Sequence, residues 1–332
     1  MEANFALFFG LAVQAYEFSL ISDDSPFDRF MEGDNDALSQ DQLHGLLVFL
    51  NTGDKGNNNK VKVALKQAEK ALGFEIGAGN CISCHGGALF SDATFPALAD
   101  GDELELIEIE DTTQLIEGLL ALDDFQGLLD NGFANIGVRP TADDLGRGGM
   151  ENGIDLSFVR QLLADPNFEV PEDVELPDDL PAEFSVLVDG AFKIAGLRNI
   201  ALTAPYFHNG GQATLEQVVE FYDRQSDFGD VNIELLDRNM VFIDMEDEDE
   251  GPLIAFLLAL TDERVEDEGG VFDHPQLLVP IDGLTKFAIV DGSIGVVAGE
   301  AMEIPAVGAE GRESASIDEI VPFLGIDQEE DD

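Results

Sequence analysis

Cationic side chains are scarce in this 332-residue chain: 16 Lys and Arg stand against 69 Asp and Glu, a formal net charge of -53. A surface of that sign repels phosphate backbones and excludes nucleic acid as a partner. Its self-repulsion is tolerated best where salt screens it, as in a halophilic or marine setting. Tryptophan is absent, cysteines number two and histidines four. With no second cysteine pair, and with His44, His208 and His274 scattered singly, a four-ligand zinc site has no material. No apolar run reaches membrane-spanning length. The most hydrophobic N-terminal piece, Phe5 to Val13, is interrupted by Glu17, with no basic segment before it and no small-residue cleavage site after it. What remains is an ordinary globular composition: 45% hydrophobic residues can bury one large core or two modest ones.

The two cysteines sit together in Cys81-Ile82-Ser83-Cys84-His85, followed by Gly86-Gly87. In this spacing the two thiols add across the vinyl groups of haem and the histidine coordinates the iron from the proximal side. A redox dithiol usually follows a strand in a βαβ unit, whereas Gly77-Ala78-Gly79-Asn80 reads as a loop. Half a zinc site is a competing reading that lacks a second cysteine pair, and two buried structural cysteines are another, against which the adjacent His85 and Gly86-Gly87 argue. One covalent haem c is therefore expected. Because haem c is normally installed outside the cytoplasm, a periplasmic or extracellular location is expected, with the chain a mature or truncated product.

The pattern along the chain is helical. Asn4 to Leu20 is rich in Phe, Leu and Ala and stops at Ser22-Asp23-Asp24-Ser25-Pro26. Ser39-Gln40-Asp41-Gln42 is a capping box with Leu43, Leu46, Leu47 and Leu50 at helical spacing behind it, ended by Gly53. Lys60 to Leu72 predicts a short helix leading to the motif. Asp100 to Leu129 is acidic but carries enough Leu and Ile for one or two helices, and Asp165 to Pro181 reads as an exposed loop. Gly190 to Gly211 is too rich in Gly, Pro and Asn for a regular element yet apolar enough for burial. Buried irregular backbone needs partners for its polar groups, so this segment is expected to wrap around something. Thr214-Leu215-Glu216-Gln217 forms a second capping box, and Leu215, Val218, Val219 and Tyr222 share one face of the helix behind it. On this pattern Tyr222 is either a core tyrosine or an iron ligand.

Cys81 to Gly87 with Leu89 to Asp92, then Asn135 to Val138, Phe192-Lys193 through Leu197-Arg198-Asn199, Thr203 to Gly211, Thr214 to Tyr222, and Ala255 to Thr261 occur in one order. In that order they resemble the bacterial dihaem cytochrome c peroxidases and the related tryptophylquinone-maturing enzyme MauG. The resemblance runs from about Phe5 to the helix carrying Leu260 and implies the linker helix plus the second haem domain. That domain is the electron-entry half; the first, which in typical members carries the peroxide-cleaving haem, has no counterpart here. The implied fold class is mainly α: a cytochrome c-like helical domain with long irregular loops. The expected division is a helical linker region over 1–55, the haem domain with acidic insertions over 56–265, and an extended C-terminal tail packing on it over 266–332.

The resemblance also implies roles. Typical members place the distal methionine ligand fourteen residues after the Pro-Tyr-Phe-His histidine, and MauG has tyrosine there; in this chain that position is Tyr222. A distal ligand, core packing and an open sixth site remain the alternatives. His208 is a rival ligand, and Met150, Met240, Met245 and Met302 are further thioether donors off the family position. The carbonyls of Thr203 and Pro205 resemble a calcium loop whose remaining protein ligand belongs to the first domain. Lys193 and Arg198 are rare cations suited to haem propionates, with plain surface roles as the alternative. The tryptophan between the two haems of typical members has no equivalent, and Lys60 to Ile76 reads as an insertion. The implied function is a c-type haem oxidoreductase passing electrons from a basic redox protein toward hydrogen peroxide; the alternative is a monohaem electron-transfer or structural cytochrome.

Overall fold

The computed structural model describes residues 4–53, 57–93, 120–122, 125–130, 132–164, 185–290 and 293–312. Its helices are α1 Phe5–Glu17, α2 Pro26–Met31, α3 Gln40–Leu50, α4 Asn59–Leu72, α5 Phe158–Ala164, α6 Leu215–Asp223, α7 Asp247–Leu258 and α8 Glu263–Glu266. The described residues divide into two compact units, 38–258 and 4–37 together with 259–312. Helices and small sheets make up both, and the helical fold class stands at that coarse level.

In the unit of residues 38–258, α3 crosses α7 at close range. The capping box starts α3 as its sequence requires: Ser39 Oγ accepts from Gln42 N–H at 3.2 Å and Gln42 Oε1 accepts from Ser39 N–H at 2.8 Å. The face that is buried is not the leucine stripe but His44, Gly45, Val48 and Phe49. Gly45 explains the choice, because a Cβ there would lie 1.9 Å from the Pro252 carbonyl oxygen of α7. Only a glycine lets the two backbones approach so closely. Phe49 then reaches Phe256 at 5.3 Å between ring centroids, and Phe90 at 5.8 Å.

A buried carboxylate ties this crossing to the haem-motif loop. Asp249, fully buried near the start of α7, receives the His44 imidazole Nε2 at 2.7 Å, Gly77 N–H at 2.8 Å and Glu246 N–H at 3.1 Å. Gly77 needs its missing side chain as well, since a Cβ would meet Asp249 Oδ2 at 2.5 Å. A backbone bridge between Ala78 and Asp244 extends the seam. Helix α4, capped by Asn58 and closed by left-handed Gly73, precedes this seam.

Strands in this unit are short. Phe133–Ala134 pairs antiparallel with Phe192–Lys193, and Met150–Glu151 with Ile154–Asp155. The acidic segment expected to be helical is, in its described part, extended: Leu120–Leu122 runs antiparallel to Phe125–Leu128, which pairs parallel with Ser185–Val186. There the backbone takes cross-strand hydrogen bonds in place of helical ones. The rest of that segment, and the Asp165 to Pro181 loop, lie outside the described residues.

In the other unit, α1 is apolar and exposed along its whole length. Helix α2 opens with a capping box of Ser25 and Asp28, and Phe27 N–H donates to the Ala259 carbonyl. Arg264 of α8 joins Asp23 at 2.8 Å and buried Asp262 at 2.6 Å. Farther on, Leu277–Pro280 pairs with Ala301–Ile304, and Lys286–Val290 with Ser293–Ala298, all antiparallel. Two backbone hydrogen bonds join His274 to Val307, and Glu268 Oε2 accepts from both His274 Nε2 at 2.9 Å and Arg312 Nε at 2.5 Å.

Two outcomes follow. Asp249→Ala removes the acceptor of three hydrogen bonds, that of buried His44 among them, and should cost about 3 kcal/mol; denaturant unfolding of the full chain showing a loss under about 1 kcal/mol would contradict the account. The Glu268 strap is pH-dependent. His274 is raised by its hydrogen bond to the Pro275 carbonyl and by Glu268, so its contribution is complete below its ordinary 6.5 and disappears as pH rises through the raised value. Burial alone would raise Glu268, but Arg312 and His274 outweigh it and hold it low, so its contribution is complete above 4.5 and disappears on acidification. An NMR titration of His274 should give a midpoint above 6.5; a midpoint at or below it refutes the strap.

Candidate haem site

Asn80 enters the motif in the left-handed region at φ 54°, a conformation asparagine tolerates better than most residues. A 3₁₀ turn, Cys81–Ser83, follows, and the Cys81 carbonyl accepts from Cys84 N–H at 3.1 Å and His85 N–H at 2.8 Å. That winding places both sulfurs and the imidazole on the wall of one cavity. His85 Nδ1 lies 3.0 Å from the Phe90 carbonyl oxygen. A carbonyl only accepts, so Nδ1 carries the proton and Nε2 keeps its lone pair for a metal. Burial pushes the His85 pKa down against the opposing hydrogen bonds of the Phe90 and Ala195 carbonyls, which favours the neutral ligand form. Burial raises the Cys81 and Cys84 thiols to about 12, and the charges of Asp237 and Asp92 add to the effect on Cys84.

The cavity holds about 560 Å³ and lies wholly within residues 49–257. Phe49, Ile136, Val138, Leu197, Val218 and Leu257 give it an apolar lining. The segment expected to wrap around something supplies much of the wall, from Gly190 through His208. A flat apolar macrocycle bonded to two sulfurs and one imidazole fits these residues: the donors converge, the volume is in the range of cofactor sites, and the lining is mostly apolar.

Tyr222 sits on the wall of this same cavity. Helix α6 presents it as the periodicity predicts, with Leu215, Val218, Val219 and Phe221 buried behind it. Its capping differs in detail. Thr214 Oγ1 accepts from Gln217 N–H, but Gln217 Oε1 turns to Ala213 N–H at 2.7 Å instead of closing the box on Thr214. Burial, followed by the charges of Cys84, Cys81 and Asp237, raises the Tyr222 phenol well above its ordinary value, so without a metal it is a neutral hydroxyl.

Thr203, Pro205 and Lys193 also line the cavity, and Arg198 is not among the residues that do. Arg198 Nε donates to the Ala88 carbonyl at 2.7 Å just beyond the motif, and its guanidinium lies 5.8 Å from the Phe90 ring centroid. His208 reaches the cavity edge but is engaged, stacked on Phe192 at 3.4 Å and hydrogen-bonded to Asp144 at 3.0 Å. His44 belongs to the Asp249 knot, and His274 to the other unit. Met150 and Met302 are exposed, while Met240 and Met245 line the cavity. Among the described residues no cluster of three or more His, Cys, Asp and Glu side chains is placed to hold a bare metal ion.

No family model matches the sequence. It is 27% identical over 252 residues to the cytochrome-c peroxidase IdrP1 of Pseudomonas sp. (strain SCT), covering 75% of this chain and 48% of that protein. It is 22% identical over 249 residues to the methylamine utilization protein MauG of Methylophilus methylotrophus, covering 75% and 45%. A 53-residue stretch is 40% identical to the cytochrome c551 peroxidase of Pseudomonas aeruginosa, 16% of this chain and 15% of that one. The chain is a relative of the dihaem cytochrome c peroxidases and MauG. It spans about half the length of the curated relatives it matches. The crystal structure of a MauG-like protein associated with microbial copper homeostasis aligns at 20% identity with a TM-score of 0.41, covering 74% of this chain and 50% of that one.

For a relative of these enzymes, the residues that the sequence pattern did not single out lie on one short stretch. The Asp237 carboxylate accepts from Asn239 N–H at 2.8 Å and starts the 3₁₀ turn Arg238–Phe242. Asn239 Nδ2 approaches Cys84 Sγ at 3.7 Å, and its carbonyl accepts from Asn80 Nδ2 at 2.9 Å. In sequence, Asp-Arg-Asn reads as a plain cap, and nothing there signals contact with a thiol 155 residues away.

Covalent capture is directly checkable. Expressed with a c-type haem maturation system, the wild-type chain should retain haem through acidic organic extraction, and Cys81→Ser/Cys84→Ser should release it. Retention by the double variant, or release from the wild type, would remove the thiols from the site.

Proposed function

We propose that this chain is a c-type haem oxidoreductase that passes electrons from a redox protein toward hydrogen peroxide, through one haem covalently held by Cys81 and Cys84. The observation that carries this reading is the single cavity into which two thiols, the carbonyl-anchored imidazole of His85 and the phenol of Tyr222 all open. When bound, the haem supplies one-electron exchange at its iron. His85 would hold the iron through Nε2 while the Phe90 carbonyl fixes the ring, and Tyr222 would offer it a phenolate oxygen, which lowers the potential relative to a thioether. Lys193 at the cavity wall and Arg198 beside Ala88 neutralise the propionates. Thr203 and Pro205 offer backbone carbonyls to Ca²⁺.

The charge of -53 favours a donor with a basic surface, whose encounter rate would be salt-sensitive. The haem chemistry and the relatives named as cytochrome c peroxidases support a periplasmic or extracellular setting. No helix among the described residues is long and apolar enough to cross a membrane. A second reading, a monohaem electron-transfer cytochrome, is favoured by one observation: Tyr222 stands ready to occupy the site that peroxide would need.

The test combines ferric EPR with stopped-flow mixing of the reduced protein and peroxide. Peroxide should oxidise the reduced haem, and reduction by a basic cytochrome should slow about tenfold or more from low salt to 1 M, where the screening length is about 3 Å. A six-coordinate low-spin iron inert to peroxide makes the chain an electron carrier. Salt-independent reduction rules out the basic donor.

A further inference from the structure

The wall that carries Tyr222 also carries a thioether that the proposed chemistry leaves unused. Met240 is 3% exposed and lines the cavity. It packs with Phe221, Leu236 and Ile243 in one cluster, and Tyr222 rests against that same cluster. Its backbone is fixed relative to the haem thiols. Asp237 caps the turn, Asn80 beside Cys81 donates to the Asn239 carbonyl, and the Asn239 side chain approaches Cys84 Sγ. Met240 is thus the residue after one that touches a haem sulfur. An apolar wall needs only leucine or isoleucine here; methionine adds a soft donor atom.

Two donors of opposite preference therefore open into one cavity. Anionic phenolate oxygen favours the higher charge of ferric iron, and a neutral thioether favours ferrous iron. Met245 is also on the wall, but it is half-buried, follows Asp244 and precedes Glu246, and its Cα faces Gly77.

We propose that Met240 is the iron ligand of the reduced state, exchanging with Tyr222 when one electron arrives. The inference rests on Tyr222 being the ferric ligand. One electron from an external one-electron donor, a redox protein or dithionite, converts Fe(III) to Fe(II). The Fe–O bond to Tyr222 breaks, the released phenolate takes one proton from water, and a sulfur lone pair of Met240 forms the Fe–S bond. Oxidation reverses each step, releasing one electron to the acceptor and one proton from the phenol.

The experiment uses the haem-loaded full chain as wild type, Tyr222→Phe, Met240→Leu and Met245→Leu. Ferric absorption and EPR are compared with proton NMR of the dithionite-reduced protein. The ferric wild type should show a phenolate-to-iron charge-transfer band, lost in Tyr222→Phe and kept in both methionine variants. The reduced wild type should be six-coordinate with a strongly upfield methionine methyl resonance, lost in Met240→Leu and kept in Met245→Leu. A reduced wild type without that resonance overturns the proposal whether or not any variant folds, as does its loss in Met245→Leu alone. If Tyr222→Phe leaves the ferric spectrum unchanged, the Tyr222 reading falls and takes the exchange with it. An intact Tyr222 signature with no thioether in the reduced state removes the Met240 assignment alone.

Discussion

The carboxylate of Asp249 is the constraint on which the candidate haem site depends. A fully buried charge is costly unless every lone pair finds a donor, and this one draws its donors from three places in the sequence: helix α3 through His44, the loop before the motif through Gly77, and its own helix start through Glu246. Meeting that demand fixes the α3–α7 crossing and the path of the chain into Cys81 at once. Gly45 and Gly77 are the steric counterpart of the same knot, each leaving room that any side chain would fill.

Much of the site was legible from residues because its chemistry is spacing-dependent. Cys81, Cys84 and His85 stand out in sequence because thiol addition and ligation need that interval, and the structure brings the three to the wall of one cavity. Tyr222 reads from helix α6 periodicity as a wall residue, and the irregular Gly190 to Gly211 segment reads as wrapping because apolar, Gly- and Pro-rich backbone must enclose something. The capping box of α3 and the Thr214 half of the cap of α6 read from local side-chain to backbone reach. Three things did not read. The buried face of α3 is set by a glycine that admits Pro252, and hydrophobicity alone points to the leucines. The Asp249 knot links residues 205 apart, His44 and Asp249, with nothing local to announce it. The described part of the acidic 100–129 segment is paired strand, and its parallel partner at Ser185–Val186 lies too far along the chain for anything local to announce it.

Charge and chemistry are segregated in the molecule. The acidic excess is spread along a chain that keeps its cavity wall apolar, with Lys193 among the wall residues and Asp237 the carboxylate beside Cys84. Burial raises Asp237 against its hydrogen bonds from Asn239, so the group nearest the thiols is biased toward neutrality. A long-range attractive field for cationic partners and a low-dielectric interior thus coexist without cancelling each other.

The 3₁₀ turn Arg238–Phe242 shows how thin the boundary between the two is. Met240 faces the cavity at 3% exposure, while Val241 and Phe242, next in the chain, are 51% and 44% exposed. The cavity wall is here one residue deep. Electron tunnelling weakens steeply with distance, so this single layer of chain offers a short conduit from solvent to the interior. Any group held against this wall of the cavity lies one side chain away from the apolar, two-residue window that Val241 and Phe242 form on the outside.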